Sequence, residues 1–184
     1  MLVRLLFVFL GCFSVMVNAA TVIEADWRLD EFDWTGQANE VVDSSGSDNH
    51  GQSNGILYST AIGALCGAVD LTANSSSDYI SLNRNVLNGA TDFSIAYWGK
   101  LPSSVTSTQT QTVLSGAAGG SDEEVIIRFV QVSDVWRYQF IVNGYTIQLN
   151  NYFPNDDAWH HYIWTRNASQ QSGGTDQYCL YIDG

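Results

Sequence analysis

The chain has 184 residues, 45% of them hydrophobic and only 14% charged, which suits one domain with a sizeable core and excludes a disordered polymer. Acidic residues number 19 against 7 Lys and Arg, a formal net charge of −12 that repels nucleic acid and anionic membrane surfaces. Polarity carried by Ser, Thr, Asn, Gln and Gly rather than by charge fits an exported β-rich module.

The first elements are a leader. "MLVR" supplies a positive charge, "LLFVFLGCFSVMV" an apolar run too short to span a bilayer comfortably, and "VNAA" a small-residue cleavage site after Ala19 or Ala20. Residues 1–20 therefore read as a signal peptide and 21–184 as one domain. The leader places the mature chain in the periplasm, on the cell surface or outside the cell, with no membrane insertion after cleavage. "FLGC" is a weak lipoprotein box, with Cys12 as the acylated residue that it would imply.

No helical periodicity follows. "VIEADWRL" (22–29) reads as a first strand, "EVVD" (40–43) as a short one, and "SSGSDNHGQSNG" as a loop. "LCGAVDLT" (65–72) and "DYISL" (78–82) are further strands, and 85–92 one turn of helix. "FSIAYWGKL" (93–101), "TVLSG", "EEVIIRFVQV" (123–132), "WRYQFIV" (136–142) and "YTIQL" (145–149) continue the pattern, with Asn143-Gly144 as a tight hairpin turn. "WHHYIWTR" and "QYCLYID" close it. Many short strands parted by turn residues predict an all-β, antiparallel two-sheet β-sandwich of jelly-roll type. Asp183-Gly184 is a second hairpin signal, so a returning strand is expected and the domain reads as incomplete at its C-terminus, the N-terminal part of a longer protein.

The chemistry-bearing residues are few. Of three cysteines, Cys12 leaves with the leader, and the remaining pair, Cys66 and Cys179, is expected to form a disulfide in an oxidising compartment. "DSSGSDNHG" gathers Asp43, Ser45, Asp48 and Asn49, oxygen donors of the kind hard cations take, which makes structural Ca2+ a candidate cofactor. A turn in which Asp and Ser cap their own backbone explains the same residues. Among six tryptophans, Trp34 lies between strands and is the candidate for exposed ligand binding; the others sit in strand patterns and are expected in the core. The adjacent His160 and His161 point to opposite faces of a strand and cannot chelate one ion. They read as wall. Catalysis finds no support. Retaining glycosidases need two carboxyl groups about 5–5.5 Å apart, yet "EADWR" places Arg28 beside Glu24 and Asp26, and "EEV" at 123–125 does not alternate. No G-x-S-x-G nucleophile turn is present.

"DFSIAYWGKL", "AWHHYIWTRN" and "YCLYIDG", with "ADWRLDE", "VVDSSGSDNHG" and "CGAVDLTANSSSDYISL" before them, resemble the laminin-G-like, or concanavalin A-like lectin-glucanase, domain. With the leader and cysteine pair, the set also resembles the N-terminal part of mannose-sensitive haemagglutinin (MSHA) pilus biogenesis proteins. The resemblance implies a jelly roll that binds glycans or surface proteins, pilus components among them, without catalysis. It also implies a bacterial host and supports calcium. The expected function is a secreted non-catalytic recognition module. A structural module for pilus or appendage assembly, and a glycoside hydrolase, are the alternatives.

Overall fold

A computed structural model describes residues 22–55, 59–60, 63–65, 67–70, 78–87, 89–101, 103, 110–116, 125–132, 135–142, 145–150, 154–172 and 175–184. The leader, Cys12, Cys66 and the Asn143-Gly144 turn lie outside them.

Every regular element described is a β-strand: β1 (Gly51–Asn54), β2 (Ser59–Thr60), β3 (Ala68–Val69), β4 (Tyr79–Leu82), β5 (Phe93–Lys100), β6 (Thr110–Ser115), β7 (Val125–Val132), β8 (Val135–Val142), β9 (Tyr145–Asn150), β10 (Trp159–Ser172) and β11 (Thr175–Ile182). A four-stranded sheet runs β6-β7-β8-β9, a three-stranded sheet runs β11-β10-β5, and the pairs β1-β4 and β2-β3 complete the set. All pairings are antiparallel. Val142 pairs with Tyr145, leaving the two residues that an Asn-Gly hairpin needs.

The two larger sheets face each other. Ile127, Phe129, Trp136, Tyr138, Phe140 and Val142 from one meet Tyr162 and Trp164 from the other. Alternation dictates this: β7 and β8 bury every second residue, and β10 sends His160, Tyr162, Trp164 and Arg166 inward. Aromatic rings dominate the interface. Phe140 stacks on Trp164 at 3.9 Å between centroids, and Phe129 meets Tyr138 edge-on at 5.0 Å. Such rings each bury large areas and add geometric preference to the hydrophobic term. Tyr97 and Tyr138 keep their hydroxyls satisfied by bonding each other at 3.2 Å. A second, smaller cluster holds Trp34 and Val41, with Trp27, Leu29, Val69 and Ile80 packed around them.

The N-terminal third departs from the expected strands. Residues 22–29 form no strand; Trp27 makes one isolated bridge to Asp43, and Val41 one to Gly51. Leu29 at φ 56 is left-handed, which breaks the extended run. The expected loop instead contains β1. Gly51 there passes so close to Val41 and Ile80 that an added Cβ would lie 2.7 Å from the Ile80 side chain. Where one turn of helix was expected over 85–92, residues 86, 87 and 89 lie in a turn, with Ala90 N–H donating to Leu87 O at 3.1 Å; residue 88 lies outside the described residues. Asn85 ends the chain's run into β5 by accepting the Leu87 N–H on its side chain, the kind of local bond that competes with helix.

Candidate functional site

The loop before β1 is the first candidate. Asp43 is buried, and both its carboxylate oxygens are occupied. Oδ1 accepts the N–H groups of Asp26 and Ser45 at 2.8 and 2.9 Å, and Oδ2 accepts Asn49 N–H and the Ser45 hydroxyl at 2.9 Å each. Burial opposes the charge, but these donors outweigh it and hold the carboxyl well below its usual range. Asn49 gives its amide N–H2 to Glu24 O, while its Oδ1 accepts from Arg84. The Arg84 guanidinium also donates to Ser47 O at 2.8 Å. Asp48 points to solvent, its side chain 92% exposed, at a left-handed φ of 56. The three expected calcium ligands therefore do not converge: two are spent on N–H donors, one faces away, and a guanidinium already meets the loop's free oxygens. These residues do not fit a calcium cage. Among the described residues no group of three His, Cys, Asp or Glu is placed to hold a metal ion.

Glu40 is a second hub, not foreseen from the sequence. It accepts from Thr35 N–H at 2.6 Å, Gly36 N–H at 3.0 Å, Gln37 N–H at 3.1 Å, Ser53 N–H at 3.1 Å and the Ser53 hydroxyl. Burial raises its pKa, yet the hydrogen bonds bring it down to about 2. Its task is to tie residues 35–37 to β1.

Trp34 is not an exposed platform. It is 8% exposed, and fills the space beneath Val41. Its large ring supplies much of the apolar volume of that small cluster, alongside Trp27, Leu29, Val69 and Ile80. Its Nε1–H has no partner among the described residues.

Trp98 is an aromatic that faces solvent from a strand of the three-stranded sheet. It is 42% exposed on the outer face of β5, where its ring meets the His161 ring at 5.0 Å and a tilt of 33°. The register sets this contact, since Trp98 lies directly opposite His161 on β10. Tyr181, 48% exposed, lies on the same face of β11 opposite Ile163, which in turn faces Ala96. Trp98, His161, Ile163 and Tyr181 thus form an apolar and aromatic patch near one end of the three-stranded sheet.

At the same end of the sheet, but on the inner phase of β10, His160 ties two segments together. Its Nδ1 lies 2.7 Å from Asp183 Oδ2 and its Nε2 3.0 Å from Asp156 Oδ1. Each ring nitrogen faces a carboxylate oxygen, an arrangement that favours the protonated ring. Its pKa is raised, first by the Asp183 bond and then by the Asp156 bond. Asp183 and Asp156 are both lowered, chiefly by His160. Asp183 Oδ1 accepts His161 N–H at 2.9 Å, and Asp183 N–H donates back to His161 O at 2.9 Å. Asp183 at φ 57 and Gly184 at φ 104 both take the positive φ of a type I′ hairpin turn. Asp157 adds a further tie, accepting Ser103 N–H at 3.1 Å as well as the Ser103 hydroxyl. His160 and His161 read as wall; in the structure His160 contacts two carboxylates.

Arg28 does stand beside the "EADWR" carboxylates, its Nε 3.3 Å from Asp26 Oδ2. Glu123 and Glu124 lie outside the described residues. Cys179 is a free thiol exposed on the outer face of β11, and its expected partner Cys66 is outside the described residues. No helix among the described residues is long and apolar enough to cross a membrane.

An all-β antiparallel sandwich with loops that cap themselves and an aromatic patch open to solvent has the form of a binding module. Residues 74–184 match the family model Laminin_G_3, described as the concanavalin A-like lectin/glucanases superfamily, and the chain belongs to this family. Its domains are commonly non-catalytic binding modules, although the superfamily includes glycoside hydrolases. Neither a curated protein nor a solved structure matches the chain, so no relative stands behind the narrower resemblance to pilus biogenesis proteins.

Proposed function

We propose that the chain is an exported, non-catalytic recognition module that binds carbohydrate, or a surface protein bearing it, at the N-terminus of a larger bacterial surface or pilus-associated protein. The observation that supports this most is the Trp98 ring, exposed and steadied by His161. A flat indole held in place offers its π face to the C–H face of a sugar ring at little entropic cost. The neighbouring carboxylates of Asp156 and Asp183 favour neutral over anionic sugars at this patch, because like charges repel. The leader supports export, and a module of this family gives a surface protein its grip.

A glycan array on the exported protein tests the reading. Selective binding of neutral glycans, lost in Trp98→Ala, supports it. Absence of glycan binding together with capture of pilus subunits favours the structural alternative, and release of reducing sugar favours a hydrolase.

A further inference from the structure

The outer face of the four-stranded sheet differs in charge from the rest of the chain. The strands β6 to β9 contain no aspartate or glutamate, in a chain that has 19. Two of the 7 Lys and Arg, Arg128 and Arg137, stand on this one face. Arg128 opposes Gln139, and Arg137 lies two residues from Gln139 along β8. The two arginines are therefore diagonal neighbours, roughly 7–8 Å apart at their Cα atoms. Neither forms a salt bridge among the described residues. Asp122, Glu123, Glu124 and Asp134 fall outside those residues.

A ladder of side-chain hydrogen bonds crosses the same face. Arg128 Nε donates to Gln139 Oε1 at 2.8 Å, Gln139 Nε2 to Gln148 Oε1 at 2.7 Å, and Gln148 Nε2 to Asn150 Oδ1 at 2.9 Å. Thr112 continues the row on β6, opposite Arg128. The ladder spends Arg128 Nε and leaves its outer guanidinium N–H groups, the pair that grips a carboxylate in fork geometry, without an acceptor among the described residues. Two cations at this diagonal spacing repel each other weakly across water, and an anion lying between them meets both.

We propose that the outer face of β6–β9 is a second binding site, distinct from the Trp98 patch, for an acidic polysaccharide of the uronic-acid type. The arginines take the carboxylates, and the amides and hydroxyl of Gln139, Gln148, Asn150 and Thr112 take the sugar hydroxyls. Four strands at about 4.8 Å spacing give a polar row about 14 Å across, room for more than one ring. An acidic peptide suits the face less well. Its main chain seeks free strand edges, and the backbone groups of the central strands β7 and β8 are already paired on both sides.

The probe is polygalacturonate, with poly-glutamate and dextran as controls, titrated calorimetrically into the whole chain at 0.15 M salt. At that ionic strength the Debye length is about 8 Å, so the net negative charge elsewhere is screened while the two arginines still act. Polygalacturonate binds, dextran does not bind this face, and raising the salt weakens the complex. Arg128→Gln with Arg137→Gln lowers affinity at least tenfold at unchanged melting temperature. Gln148→Ala, which keeps both charges, lowers it several-fold, and Trp98→Ala leaves it intact. Absence of polygalacturonate binding, or equal affinity in the arginine variants, overturns the proposal. Poly-glutamate binding as tight as polygalacturonate overturns the sugar assignment. Self-association abolished by the arginine substitutions would mean that a second copy of the chain covers the face, and would overturn it too.

Discussion

Replacing Asp43 with alanine removes the acceptor at the centre of the loop before β1, and the structure sets the cost. Four hydrogen bonds to the carboxylate disappear. The Asn49 N–H belongs to a residue 1% exposed and cannot reach water, so leaving it unmatched costs about 1–3 kcal/mol. The Asp26 and Ser45 N–H groups are partly exposed and rehydrate, for about 0.5–1 kcal/mol each. The total is about 3 kcal/mol, a large share of the 5–15 kcal/mol typical of a domain. At roughly 2–4 °C per kcal/mol for a domain of this size, Asp43→Ala melts about 6–12 °C lower. Asp43→Asn falls between the two, because Oδ1 still accepts while the new amide faces the Asn49 N–H. The carboxyl is depressed in the folded state, so its contribution is present above the ordinary carboxylate range and is lost as pH falls through the folded value. The gap between wild type and Asp43→Ala is therefore constant from neutral pH down to about pH 4.5 and closes only in stronger acid. Thermal melts by circular dichroism at pH 7, 5 and 3, each with calcium and with EDTA, read all of this. A drop of less than about 2 °C, or a wild-type melt that calcium raises and Asp43→Ala no longer responds to, refutes the capping account.

Three further outcomes follow from the geometry. His160→Gln destabilises most between about pH 4 and 6.5. The raised pKa of His160 gives stability that is fully present below its unfolded value and lost as pH rises through the folded one, while lowered Asp156 and Asp183 lose theirs as pH falls; melts from pH 4 to 9 in which the variant's deficit does not shrink on the alkaline side contradict the bridge. Trp34→Ala costs about 3–5 kcal/mol by cavity formation, whereas Trp34→Phe, which also removes an unpaired buried N–H, costs less than about 1.5 kcal/mol; urea denaturation measures both. Glu40→Gln costs about 2 kcal/mol at pH 7 through weakened charge-assisted bonds to residues 35–37 and Ser53, read by the same denaturation.

Much of the sandwich was legible in the sequence because strand periodicity is a direct record of burial. Residues 93–101, 125–132, 136–142 and 159–166 read as strands from their alternation, and the structure forms strands over them. The phase of His160 and His161 on opposite faces was also correct. The N-terminal third was not legible, since its backbone groups are met by side chains rather than by ladders. The local part, Asp43 capping Ser45, matches the self-capping turn read from the sequence, whereas the bonds from Asp26 to Asp43 and from Ser53 to Glu40 join distant positions that no local pattern announces. The error over tryptophans has a simpler origin. Trp34 was placed outside because it lies between strands, although a chain without regular structure still has to cover Val41. Trp98 was placed in the core because it lies within a strand. Yet Phe93, Ile95 and Tyr97 occupy the inner phase of β5, which forces Trp98 outward with Ser94, Ala96 and Lys100. The Asp156–His160–Asp183 bridge joins residues from two segments and depends on the left-handed Asp183, neither of which a linear reading reveals.

The central claim is that the exposed face of Trp98 is a recognition surface. Its most direct test is calorimetric titration of the strongest neutral glycan from an array into wild type and Trp98→Ala, with melting temperatures measured alongside. A side chain at the centre of a small binding patch carries on the order of 2 kcal/mol or more when truncated, so the affinity falls at least tenfold while the fold stays intact. Unchanged affinity in Trp98→Ala, or loss of binding only through loss of folding, contradicts the claim.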